Sequence, residues 1–548
     1  MALPQWLEPL PSSAEQLALD SWAIDQCGIS AQTLMERAAA GLARVTAELV
    51  PQGPLAVVCG NGNNGGDGQL AARMLREQGR AVSVIELAAF SGGGEDDAQS
   101  GTQTGDLHGG AEQAEAVLAG AAGIIDALLG TGFEGAPRPP VSSAVRAINR
   151  ARGAGRGAPN DPGGPAGACL PADCLPTDRP VSGDAAAGGP LVIACDIPSG
   201  VSGTTGECGA AAVQADVTVT FHAAKAGLWI APGKRRAGRV QVVDIGIPAQ
   251  GTPVDPSTGL ISAAVLDQIP RREVSGNKFT AGSVLVVGGS RGLTGAPVLA
   301  ATAAARAGAG YVTVAAPASV ASMIAAKLLE VMTVELPDEP DGGPKRGASR
   351  LAVERARRAQ ALVLGPGLGR LPAAAKFARD VAKHASLPLV LDADGLNAHA
   401  AEGGLESLAG RQAPTVLTPH VGELARLLQC DAARIDASRL GCVREAAARS
   451  GAVVVLKGDD TLVADPGGTV AISPGGAPCL ATAGTGDVLS GILAAFLARR
   501  ADPFTAACAA VYTHLLAGRM AAVAVGGDGV IASDVVSMIP RAREGREV

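Results

Sequence analysis

Leu55-Ala56-Val57-Val58-Cys59-Gly60 runs directly into Asn61-Gly62-Asn63-Asn64-Gly65-Gly66-Asp67-Gly68, and this stretch decides the fold of the N-terminal half. A short apolar run predicts a strand. Four glycines and three asparagines follow, and then a helical pattern, Gln69–Arg76. A Gly-rich turn between strand and helix presents backbone N–H groups and a helix N-terminus to an anion. Far along the chain a second loop of this kind, Ala483-Gly484-Thr485-Gly486-Asp487, opens a predicted helix from Val488 to Leu497. It is not a P-loop, because the Lys-Ser/Thr ending is missing. Two unlike loops of this type imply two active sites on one chain.

Composition bounds the rest. At 548 residues length alone allows about three to four domains, and two large α/β domains fit equally well. Apolar residues make up 47% of the chain, charged residues 18% and aromatics 2%, with a net charge of −7. Phosphate neutralisation and base stacking both lack material, so no nucleic-acid partner is expected. The ten cysteines form no CxxC pair, and no Cys/His cluster with zinc spacing exists. Cys59 and Cys195 fall in apolar runs and read as buried free thiols. With no signal pattern and no uninterrupted run of about 18 apolar residues, the default expectation is a cytoplasmic protein without a membrane partner.

Strand candidates alternate with helical stretches: Leu55–Cys59, Ala81–Leu87, Gly123–Ala127, Leu191–Cys195, Val217–Phe221 and Arg239–Ile245. An amphipathic pattern through Leu17, Ala18, Trp22 and Ile24, then Leu34, Met35 and Ala38, precedes them. A second alternating series starts at Ser283 and continues at Tyr311–Ala315, Ala361–Leu364, Leu389–Asp392, Thr415–Leu417 and Val453–Leu456. A hairpin follows around Pro466-Gly467-Gly468. Both series predict doubly wound parallel sheets. Residues 91–110 and 151–189 are Gly-rich and poor in large apolar side chains, and are expected to be flexible insertions. The expected division is 1–248, a linker with a short helix at 249–270, and 271–548.

In open parallel sheets ligands bind beyond the carboxyl ends of strands. There the first half offers the Asn61–Gly68 turn, Asp126 followed by Gly130-Thr131-Gly132, and Asp196 followed by Ile197-Pro198-Ser199-Gly200. Each Asp can equally cap the next helix. Together with Leu34-Met35-Glu36-Arg37-Ala38, Lys225-Ala226-Gly227 and Asp244-Ile245-Gly246-Ile247-Pro248, these pieces make residues 15–248 resemble the NAD(P)H-hydrate epimerase domain. The resemblance implies a Rossmann-like parallel sheet with flanking helices. It implies that Asn63, Asn64, Gly65, Gly66 and Asp67, with Gly130, Thr131, Gly132, Phe133 and Glu134, contact the dinucleotide substrate. Asn64, Asp126 and Ser199 would bind potassium through oxygen, and Asp196 would be catalytic at the reacting ring. The carbon inverted, C6, bears a ring nitrogen and a hydroxyl. Loss or opening there gives a planar or open-chain species that a carboxylate can stabilise while relaying a proton.

The second half repeats the logic. Gly365-Pro366-Gly367-Leu368-Gly369, Asp392-Ala393-Asp394, Thr418-Pro419-His420-Val421-Gly422-Glu423 and Lys457-Gly458-Asp459 each follow a strand, and Asp487 opens a helix. Asp487 suits a base that deprotonates a hydroxyl attacking phosphate, or an N-cap. His420 and Glu423 can equally serve as caps, and His399 is expected to be exposed. With Gly288-Gly289-Ser290, Gly295-Ala296 and Ala307-Gly308-Ala309-Gly310, residues 271–540 resemble the ribokinase-like ADP- or ATP-dependent NAD(P)H-hydrate dehydratase. That implies an α/β/α sandwich. Ala281, Gly367, His420 and catalytic Asp487 would stand at the hydrate, and Lys457, Gly458, Gly484, Thr485 and Gly486 at the nucleotide. Glu423 would hold magnesium directly or through water. Cys479-Leu480 stands where the family often has Gly-Met, a departure expected to leave the chemistry untouched.

The combined expectation is a bifunctional repair enzyme. It would epimerise the R and S forms of hydrated NADH or NADPH (NADHX, NADPHX) and dehydrate the S form with ADP or ATP, as a homo-oligomer. The rivals are a small-molecule kinase fused to a nucleotide-binding domain and a non-catalytic nucleotide sensor.

Overall fold

The computed structural model of the chain describes residues 3–90, 106–107, 110–153, 189–248 and 251–545. It divides into two compact α/β units. One runs from Pro9 to Gly259, and the other takes Pro4–Glu8 and Leu260 onward.

The first unit is built on seven parallel strands in the spatial order Asp106–Leu107, Val82–Glu86, Leu55–Cys59, Gly123–Ala127, Leu191–Cys195, Val217–Phe221, Arg239–Val243. Side chains alternate between faces with period two. Leu55, Val57, Ile125, Ile193 and Val217 therefore join one core with Leu34, Leu42, Ala71 and Leu75 from helices Ala31–Leu49 and Asn63–Glu77. Ala56, Val58, Ile124, Val192 and Ala194 join the other, against Leu118 of Ala111–Gly120 and Ile148 of Val141–Gly153. Leu55–Cys59 lies between the second and fourth strands in chain order, so the topology reverses at the strand that carries the Gly-rich turn.

The second sheet has eleven strands: Leu7–Pro9, Thr258–Ile261, Val470–Ile472, Leu462–Ala464, Val453–Leu456, Thr415–Leu417, Leu389–Leu391, Ala361–Leu364, Ser283–Val287, Tyr311–Pro317, Met332–Leu336. From Val453–Leu456 to Met332–Leu336 all pairs are parallel, and Leu462–Ala464 and Val470–Ile472 form the antiparallel hairpin. Helix Thr485–Ala498 is buried from Val488 to its end. It packs so tightly on helix Gly295–Arg306 that a Cβ at Gly491 would lie 2.1 Å from the Ala300 carbonyl oxygen. Among the described residues, helix Pro503–Val525 is the one long and apolar enough to cross a membrane by length and composition, and 78% of its most apolar window is packed inside the protein.

Several expectations are corrected. Residues 249–270 are not a linker with only a short helix, because Thr258–Ile261 is a strand of the second sheet and Leu7–Pro9 pairs beside it. A strand of three or four residues has too little periodicity to be read without its partner. The N-terminal segment thus contributes to the sheet expected to begin at 271. Asp106–Leu107 is a strand within segment 91–110, and helix Val141–Gly153 runs into segment 151–189. The remainder of both segments, 91–105, 108–109 and 154–188, lies outside the described residues. In helix Ser13–Asp25 the buried face is Gln16, Leu19 and Ala23, while Leu17 is 67% exposed. Met332–Leu336 is an edge strand of mixed polarity with no alternation to betray it.

Trp6 is the anchor of the N-terminal strand. It is buried, its ring lies 5.9 Å from that of Phe504, and its carbonyl accepts from the Ser262 N–H and hydroxyl. Trp6→Ala should lower the stability of the second unit by about 3–5 kcal/mol, the usual cost of emptying an aromatic core position. Chemical denaturation followed by circular dichroism checks this, and an unchanged midpoint for the second unit would contradict it.

Candidate active sites

In the first unit the Gly-rich segment is more helical than its composition suggests. The helix starts at Asn63, with Gly62 as N-cap, so Asn63, Asn64, Gly65, Gly66 and Asp67 occupy its opening turns instead of a loop. The glycines allow close backbone approach. A Cβ on Gly65 would sit 1.9 Å from the Gly60 oxygen, and one on Gly60 2.0 Å from the Leu128 oxygen. This seats the helix N-terminus on the ends of the two central strands. Gly130 comes up against Asn64, where a Cβ would meet the Asn64 Cβ at 3.3 Å. Thr131, Gly132, Phe133 and Glu134 continue that turn, closed by the Phe133 N–H to the Gly130 carbonyl.

Asn64, Asp126 and Ser199 are brought together. Asn64 Nδ2 donates to the Leu129 carbonyl at 2.9 Å and to the Cys195 carbonyl at 3.0 Å. Asp126 is fully buried and accepts from the Ser199 hydroxyl at 2.6 Å, the Ser199 N–H at 2.8 Å and the Leu128 N–H at 3.3 Å. Among the described residues it has no cationic partner. Burial outweighs these three donors and pushes its pKa up to about 6.

Asp196 stands beside this cluster with a left-handed backbone, φ +66°. Such strain in a non-glycine residue persists only where surroundings over-determine it. Its Oδ1 accepts from Lys225 Nζ at 2.8 Å and Thr220 Oγ1 at 3.0 Å. The Lys225 side chain is 1% exposed, and its ammonium also donates to Thr220 Oγ1 and the Phe221 carbonyl. Asp67 faces the same space. Burial first, then the charges of Asp196 and Asp20, lift its pKa to about 7. Lys225, Thr220 and Asp20 were not singled out from sequence. Lys225 was visible as part of a motif, but nothing local showed that its ammonium turns inward.

In the second unit the strand-end clusters also converge. Asp392 is 2% exposed and accepts from Lys457 Nζ at 3.0 Å and from the buried Ser490 hydroxyl at 2.7 Å. Burial works against the Lys457 ammonium, but Asp392 and Glu423 together hold its pKa above the usual range. Asp487 lies in the first turn of helix Thr485–Ala498, whose N-cap Gly484 has φ +90°. Burial and then Asp392 raise its pKa to about 7, against the pull of Lys457. A Cβ on Gly486 would lie 3.3 Å from Lys457 Nζ, so glycine there lets the ammonium reach the loop. A cavity of about 220 Å³ lined by Lys457, Gly458, Thr485, Gly486, Leu480 and His514 adjoins this turn. Leu480, expected to leave the chemistry alone, lines the cavity.

His420 and Glu423 form a reciprocal helix cap. His420 Nδ1 accepts from the Gly422 N–H at 3.0 Å, and Glu423 Oε2 accepts from the His420 N–H at 2.9 Å. Burial lowers the His420 pKa despite Glu423, so the ring is neutral at pH 7. Glu423 is 5% exposed and 3.8 Å from Lys457 Nζ. Glu423, the residue expected to hold magnesium directly or through water, thus keeps one carboxylate oxygen beside the Lys457 ammonium and the His420 N–H. Gly367 has φ +67°, and its carbonyl accepts from the Ser290 hydroxyl. Ala281 is displaced from the site. It precedes strand Ser283–Val287 and so lies at the opposite sheet edge from Asp487. Ala296 is the alanine near Gly367, 3.4 Å from where a Gly367 Cβ would stand. Both alanines sit in Gly-containing motifs, and only the strand's direction separates them. His399, expected to be exposed, is 3% exposed and bonded to the Ser407 hydroxyl.

Comparison with known proteins decides the family. A profile described as NAD(P)H-hydrate dehydratase matches residues 284–541, and one described as YjeF-related protein N-terminus matches residues 31–227. The bifunctional NAD(P)H-hydrate repair enzyme Nnr of Moorella thermoacetica is 38% identical, over 97% of this chain and 96% of its own. Its namesake in Salinibacter ruber is 36% identical over the same shares. This chain belongs to the bifunctional NAD(P)H-hydrate repair enzymes. Among solved structures, the Bacillus subtilis ADP/ATP-dependent NAD(P)H-hydrate dehydratase co-crystallised with ATP/Mg2+ aligns with TM-score 0.44 and 28% identity, covering 51% of this chain and 95% of that one.

The raised pKa of Asp67 is testable by linkage. The folded state holds the Asp67 proton more tightly than the unfolded chain does. Its contribution is therefore complete below about pH 4 and declines as pH rises to about 7, at up to about 1.4 kcal/mol per pKa unit and less for a partly exposed group. Asp67→Asn should melt at a higher temperature than the parent at pH 8, with the difference vanishing near pH 4. Equal melting temperatures at pH 8 would count against a desolvated Asp67.

Proposed function

We propose that the first unit interconverts the C6 epimers of hydrated NADH and NADPH, and that the second dehydrates the S form at the expense of ADP or ATP. The observation that carries this reading is the same in both units. A carboxylate with a pKa of about 7 stands next to a lysine–carboxylate pair at the strand ends, Asp67 beside Lys225–Asp196 and Asp487 beside Lys457–Asp392. A pKa near the operating pH is what a group that both takes and gives protons requires.

For dehydration, Asp487 takes the proton of the C6 hydroxyl as that oxygen attacks the terminal phosphorus of the nucleotide. The phosphoanhydride bond breaks, and AMP or ADP departs. The C6–O bond then breaks with push from the ring nitrogen lone pair, releasing phosphate. Loss of the neighbouring C5 proton restores the double bond of NADH or NADPH. Lys457 and the N–H groups of Gly484, Thr485 and Gly486 hold the phosphates. His420, neutral and fixed through its cap, offers a hydrogen bond to the hydrate, and Gly367 with Ala296 gives the ring space. For epimerisation, Asp196 faces the reacting ring, oriented by Lys225 and Thr220, while Asp67 lies within reach of the same space. Asn64, Asp126 and Ser199 would hold potassium. Its fit rests on Asp126, a fully buried carboxylate satisfied by neutral donors alone, whose charge a bound cation would offset.

Asp487→Asn keeps size and most hydrogen bonds but removes the base. Dehydration of the S hydrate should fall at least about 100-fold while epimerisation persists. NADH recovery by absorbance and epimer exchange by chromatography report the two activities separately. Near-normal NADH recovery by the variant would remove Asp487 from the mechanism.

A further inference from the structure

The edge of the second sheet opposite the dehydration site carries a feature that the repair chemistry does not use. A cavity of about 780 Å³ opens before strands Ser283–Val287 and Ala361–Leu364, at their N-terminal ends. That volume lies in the range of small-molecule sites. Arg271, Arg272, Lys278, Arg499 and Arg500 line it, against a single carboxylate, Glu273. The chain as a whole carries a net charge of −7, so this accumulation runs against its composition.

The cations are not neutralised within the unit. Among the described residues Arg272, Lys278, Arg499 and Arg500 have no ion-pair partner, and Arg271 has only exposed Asp267 at 3.6 Å. Arg272 donates to the Gly308 carbonyl at 3.3 Å. Arg543 lies behind the group, over the Phe496 ring at 4.8 Å, and its Nη1 is buried without a hydrogen-bond partner. Burial, then Arg499 and Arg271, bring its pKa down to about 10, and burial and Arg272 lower that of Arg499. The carboxyl end of helix Thr485–Ala498 attracts positive charge, which accounts for Arg499 at its C-cap but not for the whole group. Beside the guanidiniums stands an aromatic surface. Phe279 is 56% exposed and its ring is 5.5 Å from that of Tyr311, with Lys278 Nζ 5.3 Å from the Phe279 centroid.

We propose that this cavity is a second nucleotide site, separate from the dehydration centre, that takes a ligand bearing a phosphoanhydride. Its phosphates lie among Arg272, Arg499 and Arg500, whose planar forks match phosphate oxygens, and its base lies against Phe279.

Isothermal titration of the full-length protein with ADP, and separately with inorganic pyrophosphate, tests this. ADP should bind at two sites per chain. Lys457→Met should remove one, and Arg272→Gln should weaken the other about tenfold, the loss expected for one charge-assisted contact. Arg272 is exposed, so its substitution leaves the fold intact. Pyrophosphate should compete at the Arg272-dependent site and bind more weakly than ADP, and Phe279→Ala should erase that advantage. A single ADP site abolished by Lys457→Met and indifferent to Arg272→Gln would overturn the proposal. Pyrophosphate bound as tightly as ADP would overturn its nucleotide part.

Discussion

In each unit one lysine ammonium is held against a carboxylate at the ends of parallel strands, and the remaining site residues are arranged around that pair. Lys225 meets Asp196 at 2.8 Å and Lys457 meets Asp392 at 3.0 Å. Lys225–Asp196 is buried, and removing one partner from such a pair leaves an uncompensated charge at a cost of about 3–5 kcal/mol; Lys457 is 21% exposed, so water moderates the cost in the second pair. Thr220 and the Phe221 carbonyl complete the first, and Ser490 the second. A second carboxylate, Asp67 or Asp487, is desolvated and stands near the carboxylate of the pair. Its pKa rises to about 7 in both cases.

The backbone reflects the same constraint. Among the described residues five non-glycine residues have positive φ: Asp196, His222 and Ala393 lie next to these sites, while Gln429 and Arg500 follow the C-terminal ends of helices. Glycines do the complementary work of bringing a helix N-terminus onto the strand ends. Gly60 and Gly65 do so in the first unit, and Gly365, where a Cβ would lie 1.8 Å from the Asp392 backbone carbonyl oxygen, in the second. Conformational cost is concentrated where side chains must converge, while the flanking cores are ordinary apolar packing.

Much of this was legible in the sequence for an identifiable reason. Strands such as Leu55–Cys59, Gly123–Ala127 and Val453–Leu456 are buried on both faces, so they read as continuous apolar runs bounded by Gly, Asp or Pro. Asp126, Asp196, Asp392 and Asp487 stand out because a carboxylate directly after such a run, or at a helix start, is conspicuous. What stayed hidden depends on three-dimensional direction. The inward turn of Lys225, the opposite-edge position of Ala281 and the pairing of Leu7–Pro9 with Thr258–Ile261 leave no local periodic trace. Glu423 reads from sequence as a cap or a metal ligand, and its position 3.8 Å from Lys457 is equally invisible there.

The central claim is that two independent sites act in sequence on one damaged nucleotide. The most direct test is the time course of NADH recovery from an equal mixture of R and S hydrates with ADP or ATP, for the wild type and for Asp196→Asn. The wild type should restore the whole mixture. The variant should restore the S half at the normal initial rate and then stop for as long as the wild type needs to finish. Complete recovery by the variant at the wild-type rate, or loss of the initial S-specific phase, would contradict the account.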